Sequence, residues 1–339
     1  MTKVDLFGLP AVWRAMPDIF RSADLVELLD VNNPMRRCAA HQAREAWRAL
    51  GCTMPYKGGT LRTRVPFEEY RQIPGISISK LKRMKRSPAH YLCDPRSTPA
   101  LTLGTAAHCK VLEPERFSSQ YRIWDRRSDS GRLSPRTGKV WDLFEAQARA
   151  DDFEVLTVDE ANKAQAIADA VHSSSAAMRY LAQGDPEVTM QWEMQGRACK
   201  GRVDWLHVSD ALGHVLVGLK STRDCRPFYF ARQAADLEFA QQWAWYWNGY
   251  QRITGIKPKV VEIAVENAAP YAVSVFVIND DLIFKGEEEY GKCLMQLDVC
   301  EKAGRWPGPV VGEEDLELPG WYMGNGDDDM AALRLEFDT

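Results

Sequence analysis

Two strand-forming segments separated by a short turn constrain the fold of this chain more than any other feature. The segments Cys199–Val208 and His214–Leu219 have strand patterning, and Ser209–Gly213 between them has the composition of a turn. Strands joined by so short a connection pair with one another in antiparallel fashion. The middle of the chain is therefore expected to fold as a β-hairpin inside a larger sheet.

Helical and strand patterns alternate on both sides of this hairpin. The order is helices, a mostly antiparallel set of strands, a helix and two more strands, so we expect an α/β fold with a central mixed β-sheet flanked by helices. The predicted helices are Leu101–Leu112, Trp141–Ala150, Val158–Gln183, Phe228–Tyr250 and Asp280–Ala303, and the further strands are Glu187–Met194, Lys259–Val265 and Tyr271–Ile278.

Residues 1–65 have the pattern of a separate, mainly helical unit. Helical spacing at Ala11–Phe20, Ser22–Leu29 and from Pro34 onward is followed by a turn and a basic strand at Lys57–Arg64. Two interpretations remain open: a winged-helix-like module for DNA or a partner, and a small helical extension packed on the main domain. We expect three parts in all, with a main domain at 66–323 and an acidic tail at 324–339.

Composition narrows the class of protein. The chain has 339 residues, 45% of them apolar and 27% charged, which is typical of a folded globular protein. No apolar run is long enough to span a membrane, and the first residues lack a secretory pattern, so a cytoplasmic location is expected. The eight cysteines form no CxxC pair, which disfavours a zinc site or a disulfide framework. The net charge of -4 disfavours nucleic acid mildly, although local basic segments offset it.

The two strands of the hairpin carry residues that suit metal chemistry. Asp204 lies on the first strand, while Gly218 and Lys220 lie on the second and face the same way. A carboxylate at position 218 would be beside the Lys220 ammonium and across from Asp204, and two such carboxylates can hold Mg²⁺. Spacing alone is also compatible with a lysine that reaches solvent from a strand end.

Several separate segments resemble the PD-(D/E)XK nuclease superfamily and, within it, the RecE-like (exonuclease VIII-type) phage exonucleases. The resemblance covers about residues 66–323, and the common order of the motifs makes it specific. The segments are Ile76–Leu81, Arg86–Tyr91, Leu103–His108, Val111–Glu115, Cys199–Leu206, Leu219–Thr222 with Asp224, Gln242–Tyr246, Ala264–Tyr271 and Trp306–Gly308.

The resemblance implies a role for each matching residue. Asp204 would be the central metal ligand, Lys220 would position the attacking water, and Gln242 and Tyr246 would approach the DNA end or support Lys220. His108 would be a ligand or neighbour of a Mg²⁺ or Mn²⁺ ion, the Leu219 carbonyl would complete the metal shell, and Glu187 would be a supporting acidic residue.

Gly218 departs from the family pattern, because the motif usually has a metal-binding Asp or Glu at this position. Without that carboxylate, either the chemistry is impaired or a carboxylate from elsewhere has taken over. The carboxylates we considered as substitutes are Glu193, Asp224, Asp236 and Glu238, with Glu187 as a further acidic neighbour.

The resemblance further implies an exonuclease that resects linear double-stranded DNA from 5′ to 3′ for recombination by annealing. Its partners would be DNA ends, an annealing protein of RecT or Redβ type, and copies of itself in a ring, in a bacterial host that carries a phage or prophage. The alternative is a catalytically dead DNA-binding or scaffold protein. Predicted DNA contacts are Lys80, Lys82, Arg83, Lys85, Arg86, Arg126, Arg127, Arg132 and Arg202.

Overall fold

The computed structural model describes residues 53–56, 58–93, 99–128, 130–310 and 312–318 of the chain. Over these residues the predicted α/β fold with a mixed sheet flanked by helices is confirmed. The strands are β1 (Thr53–Tyr56), β2 (Gly59–Arg62), β3 (Ile76–Ser77), β4 (Tyr121–Trp124), β5 (Glu154–Thr157), β6 (Asp185–Met194), β7 (Arg197–Ser209), β8 (Gly213–Thr222), β9 (Lys259–Glu266) and β10 (Val273–Ile278).

The central sheet has eight strands in the order β1-β2-β6-β7-β8-β9-β10, with β3 added beside β7, while β4 and β5 form a separate two-stranded sheet. The hairpin predicted at the middle of the chain is present as the antiparallel pair β7–β8. The next pair, β8–β9, is parallel. A parallel pair needs a long crossover connection, and two helices supply it here.

The described helices pack against both faces of this sheet. Short helices precede the first long one, and the last helix closes at Gly304, as predicted. The helices are α1 (Phe67–Gln72), α2 (Ile78–Leu81), α3 (Pro88–Tyr91), α4 (Pro99–Leu112), α5 (Phe117–Gln120), α6 (Lys139–Ala150), α7 (Val158–Ser173), α8 (Ser175–Leu181), α9 (Pro227–Asp236), α10 (Phe239–Thr254) and α11 (Asp280–Ala303).

Two helices predicted as continuous are broken in the structure. The stretch Phe228–Tyr250 is divided between α9 and α10, because Glu238 adopts the left-handed backbone with φ 56°. The stretch Val158–Gln183 is divided between α7 and α8 at Ser174, whose extended backbone leaves its side chain free to cap the amide of Ala177. In both cases apolar periodicity continues through the break and so gives no sign of it.

Alternation along β8 gives the sheet two apolar faces. Val215, Val217 and Leu219 are buried in the cluster that includes α4 and α7. Leu216 is buried in the other cluster, beneath α10 and α11. Since side chains alternate along a strand, positions 218 and 220 face the α10 side. This places the functional positions of β8 under the helix that carries the QxxxY-like motif.

The hairpin β1–β2 is part of the central sheet, because β2 pairs with β6. The predicted boundary at residue 65 therefore falls after residues that already belong to the sheet. The helical segments predicted within residues 1–52 and the acidic tail predicted at 324–339 lie outside the described residues. None of the described helices has the length and apolar character that crossing a membrane requires.

Candidate active site

Asp204 lies where the β7–β8 pairing ends. Backbone pairing of the two strands runs from Ser209–Gly213 up to Trp205–Val217. Beyond that point the amide of Leu219 donates to Asp204 Oδ2 at 2.8 Å, so a side chain takes the place of the strand partner. The two strands separate here, and residues of both strands line a pocket at this point.

Lys220 lies within reach of several oxygen atoms in this pocket. Its Nζ is 3.4 Å from Asp204 Oδ2 and 3.8 Å from Glu262 Oε1, and it also donates to the Leu219 carbonyl at 3.4 Å. Burial alone would lower the pKa of Lys220, but Asp204 and Glu262 outweigh it and the pKa is raised. Lys220 is therefore a firmly held ammonium at neutral pH.

Asp204 is the negatively charged partner of Lys220. Burial alone would raise its pKa, but Lys220, His108 and the Leu219 amide favour the charged carboxylate, and the pKa is lowered. His108, on α4, has its pKa lowered mainly by burial, and the Asp204 charge and a hydrogen bond with the Leu219 backbone oppose that effect. The imidazole is thus neutral at physiological pH, which is the form that binds metals.

Gln242 and Tyr246 lie one turn apart on α10, over the same pocket. Gln242 Nε2 donates to Tyr246 Oη at 3.3 Å. Burial raises the pKa of Tyr246, so its hydroxyl keeps its proton. The ring packs on β7 at Gly201, where a Cβ atom would be 3.0 Å from ring atoms Cδ1 and Cε1.

Gly218 faces a carboxylate that sequence reasoning missed. In the parallel pairing of β8 with β9, Gly218 is opposite Glu262. A Cβ atom at position 218 would lie 2.6 Å from Glu262 Oε2 and 2.7 Å from Cδ, and closer still to Oε1. The Glu262 carboxylate therefore occupies the space that a side chain at 218 would enter.

Glu262 is buried, with 1% of its side chain exposed, and it is only partly satisfied. Trp243 Nε1 donates to its Oε2 at 2.5 Å. Its Oε1 has no hydrogen-bond partner among the described residues, and burial raises the pKa of the carboxyl group. A sequence signal did exist, since Glu262 is a charged residue in the middle of the otherwise apolar segment Val260–Val265.

One pocket brings most of the predicted site together. It is lined by Asp204, Gly218, Lys220, Gln242, Tyr246 and Glu262, with Val203, Leu216, Trp243 and Val260 as apolar walls. Within the described part of the chain, no group of three or more His, Cys, Asp or Glu side chains is arranged to hold a metal ion. Two carboxylates with an unpartnered oxygen nevertheless fit a cation that keeps several water ligands, as Mg²⁺ does.

Glu187 lies on β6 at the position opposite Asp204. The pairs on either side of it are Pro186–Trp205 and Val188–Val203, and Glu187 itself leaves the pairing with φ 51°. Burial raises its pKa to about 7; Arg202 opposes this effect and the nearby Asp204 charge adds to it. Its Oε2 accepts from Arg202 Nε at 2.5 Å, so its charge already has a partner.

The structure places the carboxylates considered as substitutes for position 218 away from the pocket. Asp224 accepts from Arg226 through both oxygens, and Glu238 pairs with Lys85. Glu193 is exposed near the far end of β6, and Asp236 is exposed at the end of α9. None of these four is among the residues that line the described pocket, so the structure does not support them as replacements.

The basic segment around α2 is largely engaged within the protein. Lys82 donates to the Leu237 carbonyl, Lys85 pairs with Glu238 and Glu289, and Lys80 lies over the Tyr91 ring. Arg83 is half-buried and Arg86 is exposed. Contact of these residues with DNA stays a prediction, and for Lys82 and Lys85 it would compete with internal partners.

The second basic segment differs, because Arg126, Arg127 and Arg132 are all exposed. Arg127 donates to the nearby Gly131 carbonyl and otherwise faces outward. Arg202, in contrast, is held by Glu187 and lies over the rings of Phe67 and Tyr70. The exposed loop is therefore the better placed of the two to meet phosphate groups.

A mixed sheet with Asp204 and Lys220 on adjacent strands, covered by a helix with Gln242 and Tyr246, defines a PD-(D/E)XK-like domain. Residues 77–315 match a family model described as a PDDEXK-like domain of unknown function (DUF3799). The match covers most of the chain, so the protein belongs to this family. The predicted superfamily is thereby confirmed, and the RecE-like assignment within it stays a prediction.

One solved structure has a similar fold. The chain is similar to a candidate exonuclease from Eubacterium rectale, with 12% identity and a TM-score of 0.50 over 78% of this chain and 99% of that one. The overlap with SSO0001 is weaker, with 10% identity and a TM-score of 0.25 over 63% of this chain and 85% of that one. The overlap with VC1899 from Vibrio cholerae has 11% identity and a TM-score of 0.19 over 76% of this chain and 68% of that one. A search of curated proteins finds no match.

Proposed function

We propose that this protein is a metal-dependent DNA exonuclease of the RecE-like type that digests linear double-stranded DNA from 5′ to 3′. The observation that supports it most directly is the meeting of Asp204, Lys220, Gln242 and Tyr246 in one pocket. These residues come from β7, β8 and α10, and they belong to three of the segments that carry the resemblance to RecE-like nucleases. The product would be a single strand for homologous recombination by annealing.

Lys220 would act as a donor in this reaction. Its raised pKa keeps it protonated, so it would hold the attacking water and a phosphate oxygen through N–H donation and would not accept a proton. Asp204 stays ionised beside it because its pKa is lowered. Nucleases of this fold generally depend on divalent metal, and a bound Mg²⁺ or Mn²⁺ ion supplies stabilisation of negative charge on the phosphoryl group.

Tyr246 and Gln242 would contact the DNA end. The Tyr246 hydroxyl accepts from Gln242 and stays protonated, which leaves its own hydrogen available for a phosphate oxygen. The neutral His108 would stabilise the Asp204 side of the site or add a nitrogen ligand. Each of these roles uses a protonation state that the surroundings favour.

The test uses linear duplex DNA labelled at either the 5′ or the 3′ end, with Mg²⁺, beside a closed circular duplex. We expect release of the 5′ label, slower loss of the 3′ label, and an intact circle. Lys220→Ala should lower the rate by about 100-fold or more, with a circular dichroism spectrum like that of the wild type. Digestion of the circle would contradict an exonuclease, and tight DNA binding without cleavage would support the scaffold alternative.

We also propose that the protein forms a ring-shaped homo-oligomer and delivers its product to an annealing protein of RecT or Redβ type. Light scattering tests the ring-shaped oligomer, since a monomer in the presence of DNA would contradict it.

A deletion tests delivery of the product to an annealing protein. Removal of residues 1–52 leaves the strands β1 and β2 in place. This deletion should preserve DNA cleavage and weaken binding of a purified annealing protein if the N-terminal unit recruits it, whereas unchanged binding would contradict recruitment.

A further inference from the structure

We propose that Glu262 supplies the second metal-binding carboxylate of this site, and so takes from β9 the role that Gly218 leaves open on β8. The inference rests on the proposed function, because it assumes a divalent cation beside Asp204. It assigns the missing ligand to a residue outside the family motif. It also gives Gly218 a structural role, because the absence of a side chain at this position makes room for Glu262.

The first support is the space that the two residues share. Gly218 and Glu262 are direct partners in the β8–β9 register, and partners in register project to the same face. The Glu262 carboxylate fills the position of a side chain at 218 so closely that a Cβ atom there would lie 2.6 Å from Oε2. A carboxylate at 218 and the observed Glu262 conformation therefore exclude one another.

The second support is the unpartnered oxygen. Glu262 Oε2 accepts from Trp243, while Oε1 has no hydrogen-bond partner among the described residues and lies 3.8 Å from Lys220 Nζ. A buried carboxylate with an unsatisfied oxygen is costly, and natural structures rarely keep one without a ligand or water. Trp243 fixes one oxygen, which orients the other into the pocket shared with Asp204.

The third support is that the other acidic neighbour of Asp204, the half-buried Glu187, is already engaged. Glu187 is opposite Asp204 in the strand register, but its carboxylate pairs with Arg202 at 2.5 Å. Lys220 is the cation nearest to Glu262 that the structure describes, and Lys220 is also shared with Asp204 at 3.4 Å. The two carboxylates together carry one more negative charge than Lys220 neutralises, which suits a further cation.

The test measures binding of Mn²⁺ alone to the full chain by calorimetry, without DNA. Glu262→Gln keeps the shape of the side chain and an acceptor for Trp243 but removes the charge. We expect its affinity for Mn²⁺ to fall by at least about 10-fold, since even supporting residues cost that much at metal sites. The matched control is Glu266→Gln on the same strand and face, which should bind Mn²⁺ like the wild type. Equal binding by both variants, or no binding by the wild type, would overturn the proposal.

A carboxylate swap provides the second measurement. Gly218→Asp should bind Mn²⁺ more weakly than the wild type, because the new side chain collides with Glu262. The double variant Gly218→Asp with Glu262→Ala moves the carboxylate back to β8 and should recover Mn²⁺ affinity relative to Glu262→Ala alone. Tighter binding by Gly218→Asp than by the wild type would show that the site lacks a carboxylate and would overturn the proposal. If Gly218→Asp fails to fold, the isosteric Glu262→Gln variant still decides.

Parallel nuclease assays separate this proposal from the proposed function. Digestion of linear DNA by both the wild type and Glu262→Gln, with loss in Lys220→Ala, would support the nuclease and reject Glu262 as a ligand. Mn²⁺ binding that depends on Glu262, without cleavage of any DNA, would support the metal site and reject the nuclease.

Discussion

The ring of Tyr246 lies directly against the α-carbon of Gly201, across the interface between α10 and β7. A Cβ atom at position 201 would be 3.0 Å from two atoms of the ring and 3.3 Å from the Met190 side chain. This spacing is tighter than ordinary packing, so even one added methyl group must displace a neighbour. Gly201 thus sets how far Tyr246 extends into the pocket.

Gly201→Ala should displace the Tyr246 ring by a few tenths of an ångström and lower kcat for linear DNA several-fold, because small misplacements at a reacting centre are costly. The loss of unfolding free energy should be only about 1 kcal/mol, as for mild overpacking. Steady-state kinetics and urea unfolding measure the two effects. Tyr246→Phe is the comparison, since it keeps the ring and removes the hydroxyl. An unchanged kcat in Gly201→Ala would show that the ring position is unimportant.

Trp243→Phe removes the donor to Glu262 Oε2 and leaves a second oxygen of a buried carboxylate unsatisfied. We expect a loss of about 1–3 kcal/mol in unfolding free energy and about 10-fold weaker Mn²⁺ binding. Trp245→Phe is a matched control, because Trp245 lies on the same helix and donates to the Lys200 carbonyl outside the pocket. That variant should lose stability and keep its Mn²⁺ affinity. Equal Mn²⁺ affinities in the two variants would contradict a link between Trp243 and the metal site.

The parts of the site that sequence predicts are those set by local pattern. Asp204 and Lys220 lie on strands joined by a short turn, so their proximity follows from the hairpin alone. Gln242 and Tyr246 share a helix face because they are one turn apart. The end of the last helix is likewise marked in the sequence, by Gly304 directly after Ala303.

Glu262 could not be placed in the same way. Its position opposite Gly218 depends on the parallel register of β8 and β9. These two strands are separated along the chain by α9 and α10. No local pattern fixes such a register, since it depends on how the crossover helices pack on the sheet. The break at Glu238 has a similar origin: its left-handed backbone occurs where its side chain pairs with the distant Lys85.

The exposed arginines of the loop after β4 should contact DNA phosphates. Replacing Arg126, Arg127 and Arg132 together with Ala should weaken binding of duplex DNA, and each phosphate contact that is lost should reduce the slope of log affinity against log salt by about 0.9. The change in slope, measured by fluorescence anisotropy, distinguishes phosphate contacts from indirect effects on folding.

Lys85→Ala is the comparison for this prediction, because Lys85 pairs with Glu238 and Glu289. Its loss should lower stability slightly, in keeping with a partly exposed ion pair, and leave the salt slope unchanged. A salt slope that falls in Lys85→Ala and not in the triple variant would assign the DNA contact to the α2 segment and contradict the prediction.

Lys82 should make stability depend on pH in the alkaline range. Burial lowers its pKa from 10.5 to about 8, and the charges of Lys220 and Lys85 add to this while Glu238 opposes it. Below pH 8 the folded and unfolded forms are both protonated, and the cost of burying the charge is fully present. Between pH 8 and 10.5 the folded form has lost its proton while the unfolded form keeps it, so the free energy of unfolding rises with pH.

Lys82→Met lacks this titration but keeps a side chain of similar length along the Phe239 ring. We expect the wild type to gain stability relative to Lys82→Met between pH 7.5 and about pH 10, as measured by urea unfolding at each pH. Other groups that titrate in this range are common to both proteins, so the difference between the two curves isolates Lys82. Parallel curves would show that the ammonium is as well stabilised in the folded protein, beside the Leu237 carbonyl, as it is in water.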